Sequence, residues 1–170
     1  MNILVIDGQG GKMGRKIIEE LCSGCDGQNM QITAVGTNSC ATESMIKGGA
    51  VRAATGENPV IVAAKQADII IGPIGIVIAD ALYGEITPKM ALAVAQSSAR
   101  RILLPVNRCG NQIAGVRECT VNELIDDAMK MVNEIIKGAS RYLFDFLLNI
   151  WREAKRACRF LPCWQKHCTE

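Results

Sequence analysis

Apolar and polar positions alternate along this chain in blocks that read as strands followed by helices. Ile3 to Ile6 is a short continuous apolar run, as expected of a buried strand. From about Met13 to Cys22 the period becomes helical, with Ile17, Ile18 and Leu21 on one face and Glu19 and Glu20 on the other. Gln31 to Val35 predicts a second strand closed by Gly36, and Thr42 to Lys47 a short helix ended by Gly48-Gly49. Asp68 to Ile71 is nearly all apolar, the pattern of a parallel strand covered on both faces, and Gly72-Pro73 is expected to break it. Ile74 to Leu82 reads either as a helix start or as irregular apolar packing.

Thr87-Pro88 predicts a helix running to about Ser97, with threonine as N-cap and proline at the first helical position. Arg101 to Val106 predicts a strand, Gln112 to Val116 a further short one, and Glu123 to Ile136 an amphipathic helix with Leu124, Ile125, Ala128, Val132, Ile135 and Ile136 inward. Strands alternating with helices imply a doubly wound, mostly parallel Rossmann-like α/β sheet with helices on both faces. Ligands of such sheets sit at the carboxyl ends of the strands.

Composition changes near Gly138. Six of the seven aromatics lie beyond it: Tyr142, Phe144, Phe146, Trp151, Phe160 and Trp164. The chain therefore reads as a Rossmann-like nucleotide-binding domain over residues 1–137 and an amphipathic, aromatic and cysteine-rich helical appendage over 138–170. The appendage would serve packing or self-association, so a homo-oligomer is one expectation and a membrane surface a lesser one. Its Cys158, Cys163, His167 and Cys168 do not have a common zinc spacing, and no metal is expected.

A formal charge of +2 gives no basic stripe for nucleic acid. Without a signal sequence the eight cysteines are expected to be reduced thiols of a cytoplasmic protein, with Cys22 and Cys40 acting as small buried hydrophobes. Cys22 and Cys25 have the spacing of a redox or metal pair, but Cys22 falls at a helix end rather than a helix start.

The chemistry centres on Gly8, Gln9, Gly10, Gly11, Lys12, Met13 and Gly14, between the first strand and the first helix. Amides at such a helix start point at an anion, and missing side chains admit it closely. The alternative is a purely structural tight turn. Other loops gather at the same edge: Thr37, Asn38 and Ser39; Thr55 to Asn58; Gly72, Pro73 and Gly75; and Asn107 to Asn111. A dinucleotide fingerprint also wants an acid at the end of the second strand, and Thr37-Asn38-Ser39 offers none, which disfavours plain NAD. Small hydroxyl and amide groups there would hold a ribose 2′-phosphate or cap a helix.

Catalytic residues are not identified. Glu57, Asp80, Glu85 and Lys89 are the titratable candidates near glycine turns. Glu85 and Lys89 are able to share one face across the Thr87-Pro88 helix start, and first-turn charges or a surface ion pair explain them at least as well. There is no HExxH, no Gly-x-Ser-x-Gly and no Walker sequence.

The loop Gly8-Gln9-Gly10-Gly11-Lys12-Met13-Gly14-Arg15 resembles the cofactor loop of dihydrodipicolinate reductases, which implies a cradle for the pyrophosphate of NAD(P)H. Those enzymes carry paired catalytic histidines, whereas the sole histidine here is His167. A wider likeness rests on Asp7 to Gly11, Ala34 to Ser39, Ala54 to Asn58, Asp68 to Ile76, Gly84 to Met90 and Leu104 to Asn107. Together these look like a bacterial family of unknown function (3842), implying a Rossmann-like fold over about residues 1–136 and no assigned activity. That family often has glycine and isoleucine where this chain has Lys12 and Met13. The expectation is a nucleotide or other phosphorylated small molecule, NAD(P) above others, bound at the glycine loop, with a non-catalytic assembly module as the alternative.

Overall fold

A computed structural model describes residues 1–24, 30–106, 113–116 and 119–138. The strands are β1 (Asn2–Asp7), β2 (Gln31–Gly36), β3 (Arg52–Thr55), β4 (Ile69–Pro73) and β5 (Arg100–Leu104). They form one parallel sheet in the order β3-β2-β1-β4-β5. The order reverses between β1 and β4, where the doubly wound architecture opens its ligand crevice. The helices are α1 (Lys12–Gly24), α2 (Ser39–Lys47), α3 (Glu57–Gln66) and α5 (Pro88–Gln96), and the short segment α4 (Ala81–Gly84) is a single turn whose Leu82 and Tyr83 are not in helical backbone. A 3-10 turn, Ile74–Val77, follows β4 directly.

β1 and β4 are buried on both faces, as their unbroken apolar runs require. One face carries Leu4, Ile6, Val35 and Ile70 against Val60 and Ala64 of α3 and Met90 and Val94 of α5. Alternation sends Ile3, Val5, Ile69 and Ile71 to the other face. Ile17, Ile18 and Leu21 of α1 and Met45 of α2 are likewise buried, and α1 packs along α2.

The caps follow the sequence. Asn38 Oδ1 accepts the Ala41 amide at 2.8 Å and starts α2 three residues earlier than its apolar pattern suggests. Thr87 Oγ1 accepts the Met90 amide at 3.2 Å, with Pro88 at the first position of α5.

Several expectations are corrected. β4 continues through Gly72 and Pro73, because these residues pair with Leu103 and Leu104 of β5. β3 and α3 lie where turn residues suggest loop. Arg52 to Thr55 is an exposed edge strand with no apolar run, and Gly56, Asn58 and Pro59 mask a helix start. Residues 113–116 form no strand. Cys22 and Cys40 are exposed rather than buried, and the Cys22 thiol lies 3.9 Å from the Gly49 carbonyl.

The chain divides into two compact units, Met1–Met131 and Val132–Glu170. In the first, helical residues 121–131 bury Ile125 and Ala128. The second is described over 132–138, which are helical. The aromatic stretch from Tyr142 to Trp164, the set Cys158, Cys163, His167 and Cys168, and also Cys25 and Asn107 to Asn111, lie outside the described residues.

Candidate functional site

β1 ends in Asp7, and the chain must turn at once to enter α1. Gln9 and Gly11 adopt left-handed φ values of 52° and 64°, and the Gly11 amide closes the turn on the Gly8 carbonyl at 2.9 Å. Asp7 is buried under the turn. Its Oδ1 accepts the Gly8 amide at 2.8 Å and its Oδ2 the Gly14 amide at 2.7 Å. Burial pushes the Asp7 carboxyl above its ordinary 3.8, although the Gly14, Gly8 and Met13 amides favour the charged form; the negative Glu85 adds to the rise.

With those amides taken, Gly10 and Lys12 are the loop positions whose N–H groups have no hydrogen-bond partner among the described residues. They border a cavity of about 520 Å³, within the range of small-molecule sites. Its floor is Asp7 to Met13. Lys12 and Lys16 contribute two cations, while Pro73, Gly75, Leu82, Val106 and Val121 supply apolar wall. The loops after β1, β4 and β5 thus meet at the reversal of strand order.

Of the residues singled out in the sequence, Gly8, Gln9, Gly10, Gly11, Lys12, Met13, Pro73 and Gly75 line this cavity. Gly14 lies beneath it: a Cβ there would meet Met45 Sδ at 2.6 Å and Asp7 Cβ at 2.7 Å. Gly72 is held by the close approach of the Ile6 carbonyl. Ser39 is exposed at the first position of α2.

Thr37 and Asn38 are drawn into a second cluster, around Glu85. Glu85 Oε2 accepts the Gln9 amide at 2.8 Å, Asn38 Nδ2 at 2.9 Å and the Thr37 hydroxyl. Asn38 Nδ2 also donates to the Gln9 carbonyl at 3.0 Å. Burial pushes the Glu85 carboxyl up, but hydrogen bonds from Thr37, Gln9 and Asn38 outweigh it and hold the group below its ordinary 4.5. The carboxylate missing from the end of β2 is therefore brought there from a segment 48 residues from Thr37. Sequence reading paired Glu85 with Lys89 instead. Lys89 Nζ faces Glu57 Oε1 at 3.6 Å, and Glu57 Oε2 accepts the Thr87 hydroxyl at 2.6 Å, so Glu85 and Lys89 face different partners. Glu57, Glu85, Thr37 and Asn38 are not among the residues lining the cavity; Glu85 stands next to it through Gln9, which lines it and donates to Glu85.

Glu85 arrives on an unusual backbone. Asp80, Leu82 and Tyr83 have φ of 61°, 56° and 60°, and Gly84 has 85°. The strap is closed by the Asp80 amide on the Ile86 carbonyl at 2.8 Å and the Ile86 amide on the Ala81 carbonyl at 3.2 Å.

Residues 2–137 match the family described as Domain of unknown function (DUF3842). The chain belongs to this family. The DUF3842 region contains the whole glycine loop and the Glu85 strap. Comparison with curated proteins returns no match. Among solved structures the chain is similar to a dodecameric FMN-dependent UbiX-like decarboxylase from Escherichia coli O157:H7. The identity is 12% and the TM-score 0.41, over 78% of this chain and 95% of that one, a likeness too distant to bear on the site.

Among the described residues no group of three or more His, Cys, Asp or Glu side chains converges as metal ligands. No helix among them is long and apolar enough to cross a membrane.

Proposed function

We propose that this protein binds a phosphate-bearing nucleotide in the cavity over the glycine loop, with NAD(P) as the leading ligand class. One observation carries the reading: the cavity of about 520 Å³ has the glycine loop as its floor and two lysines, Lys12 and Lys16, in its lining. The residues present fit the group. Gly10 has nothing within 4 Å of where a Cβ would stand, so the loop is open on the ligand side. The Gly10 and Lys12 amides and the two ammonium groups can take phosphate oxygens. Pro73, Gly75, Leu82 and Val106 offer a face for an aromatic ring.

Asp7 shapes this reading. Its buried carboxyl takes the Gly8 and Gly14 amides, so phosphate affinity depends on the lysines more than in a loop whose amides are all open. The function proposed is binding, with no reaction assigned. Isothermal titration with NAD, NADP, FMN and ATP is the test. Binding of at least one at micromolar to sub-millimolar levels supports the reading, and no binding of any at millimolar concentration overturns it.

A further inference from the structure

We infer that Glu85 reads the ribose of the bound nucleotide, accepting from its 2′-hydroxyl side and rejecting a 2′-phosphate there. The inference rests on the nucleotide reading and narrows it to ligands with an unmodified ribose, NAD over NADP.

Four features support it. First, the sheet has the strand order in which an acid at the end of the second strand takes the ribose hydroxyls, and the carboxylate standing beside Thr37 and Asn38 at that end is Glu85. Second, all three donors, Gln9 N, Thr37 Oγ1 and Asn38 Nδ2, converge on Oε2. Oε1 has no hydrogen-bond partner among the described residues, so one oxygen anchors the group while the other stays an open acceptor. Third, Gly8 is needed for this carboxylate: a Cβ there would lie 2.6 Å from Glu85 Oε2 and 2.7 Å from Thr37 Oγ1. Fourth, the strap holds Asp80, Leu82 and Tyr83 in left-handed backbone, which side-chain-bearing residues adopt only where the surroundings over-determine it. Tyr83, at its apex, is 95% exposed, while Ala81, Leu82 and Ile86 are buried in the core, so the same strap that buries Leu82 delivers Glu85 to the end of β2.

The consequence is selectivity. Thr37 and Asn38, the small polar groups that would otherwise donate to a 2′-phosphate, are committed to Glu85. A phosphate dianion placed there would meet an ionised carboxylate and lose its donors. A vicinal diol meets an acceptor already fixed in place.

The test is the pair of dissociation constants for NAD and NADP, measured by titration on the wild type, Glu85→Gln and Glu85→Asp, with thermal unfolding confirming that each is folded. The wild type should favour NAD by about tenfold or more. Glu85→Gln should weaken NAD and shrink or reverse the preference, while Glu85→Asp keeps its sign. Equal wild-type affinity for the two cofactors overturns the inference, and that result needs no variant. An unchanged ratio in Glu85→Gln overturns it as well. So does equal tightening of both ligands, which would make Glu85 an internal occupant that ligands must displace. Binding of FMN with none of NAD, NADP or ATP sinks this inference and leaves the nucleotide reading standing. ATP bound alone upholds it only if Glu85→Gln weakens that binding and otherwise overturns it, whereas no nucleotide binding sinks both.

Discussion

The backbone amide of Gln9 donates to Glu85 Oε2 at 2.8 Å, joining the turn after β1 to a strap 76 residues further along the chain. Because the charged form of Glu85 is the one these donors favour, its folded-state pKa lies below the ordinary 4.5. Its contribution to stability is therefore complete above about pH 4.5 and is lost as pH falls through the lower, folded value. Glu85→Ala should cost about 1 kcal/mol at pH 7, since its donors lose a charged acceptor at a part-buried site where water can take its place. Urea unfolding at pH 7 and pH 3 checks this: the gap between wild type and variant should close on acidification.

Asp7 has the opposite sign. Burial first, and the neighbouring Glu85 charge as well, raise its folded pKa above 3.8 against the pull of three backbone amides. The stability it contributes relative to a non-titrating residue is greatest below pH 3.8 and declines as pH rises through the raised folded value. The free-energy difference between wild type and Asp7→Asn should therefore fall across that window and level off above it. In a Glu85→Gln background the window should narrow, because the like charge is gone. A stability difference that rises with pH would contradict this account.

The fold was largely legible from periodicity because β1 and β4 are buried on both faces and α1 carries a clean apolar stripe. β3 and α3 were not, since an exposed four-residue edge strand such as Arg52 to Thr55 has no apolar pattern to read. The glycine loop was legible too, because strand, turn and helix follow one another locally. The Glu85 cluster was not. Its members are 76, 48 and 47 residues from Glu85, and only the parallel crossovers and the left-handed strap bring them together. Gly84 marks a turn, but nothing in Asp80, Leu82 or Tyr83 announces that all three adopt left-handed backbone.

Lysines on the two sides of the loop cluster should behave differently. Lys89 is 76% exposed and 3.6 Å from Glu57, a geometry worth about 0–1 kcal/mol at most. Lys89→Ala should leave both the melting temperature and nucleotide affinity nearly unchanged. Lys12 and Lys16 line the cavity, so replacing both with alanine should weaken nucleotide binding by about tenfold or more and flatten its dependence on salt, as expected when two cations stop facing a phosphate. Titrations at two ionic strengths separate these outcomes, and equal effects from Lys89 and from the Lys12 and Lys16 pair would displace the proposed site.

Gly10 and Gly11 separate a ligand loop from a merely tight turn. A Cβ on Gly11 would stand 2.6 Å from the Ala41 backbone, and the residue has φ of 64°. Gly11→Ala should thus cost at least about 2 kcal/mol from left-handed strain and overpacking together. At Gly10 a Cβ would meet nothing within 4 Å, and the residue lies outside the left-handed region. Gly10→Ala should leave stability within about 0.5 kcal/mol, as a surface change does, yet place a methyl group at the cavity floor where phosphate must approach. The expected signature is a normal melting temperature with nucleotide affinity reduced by about tenfold. If Gly10→Ala binds nucleotides as the wild type does, the glycines serve the turn alone, and the site must lie elsewhere on the sheet's carboxyl edge.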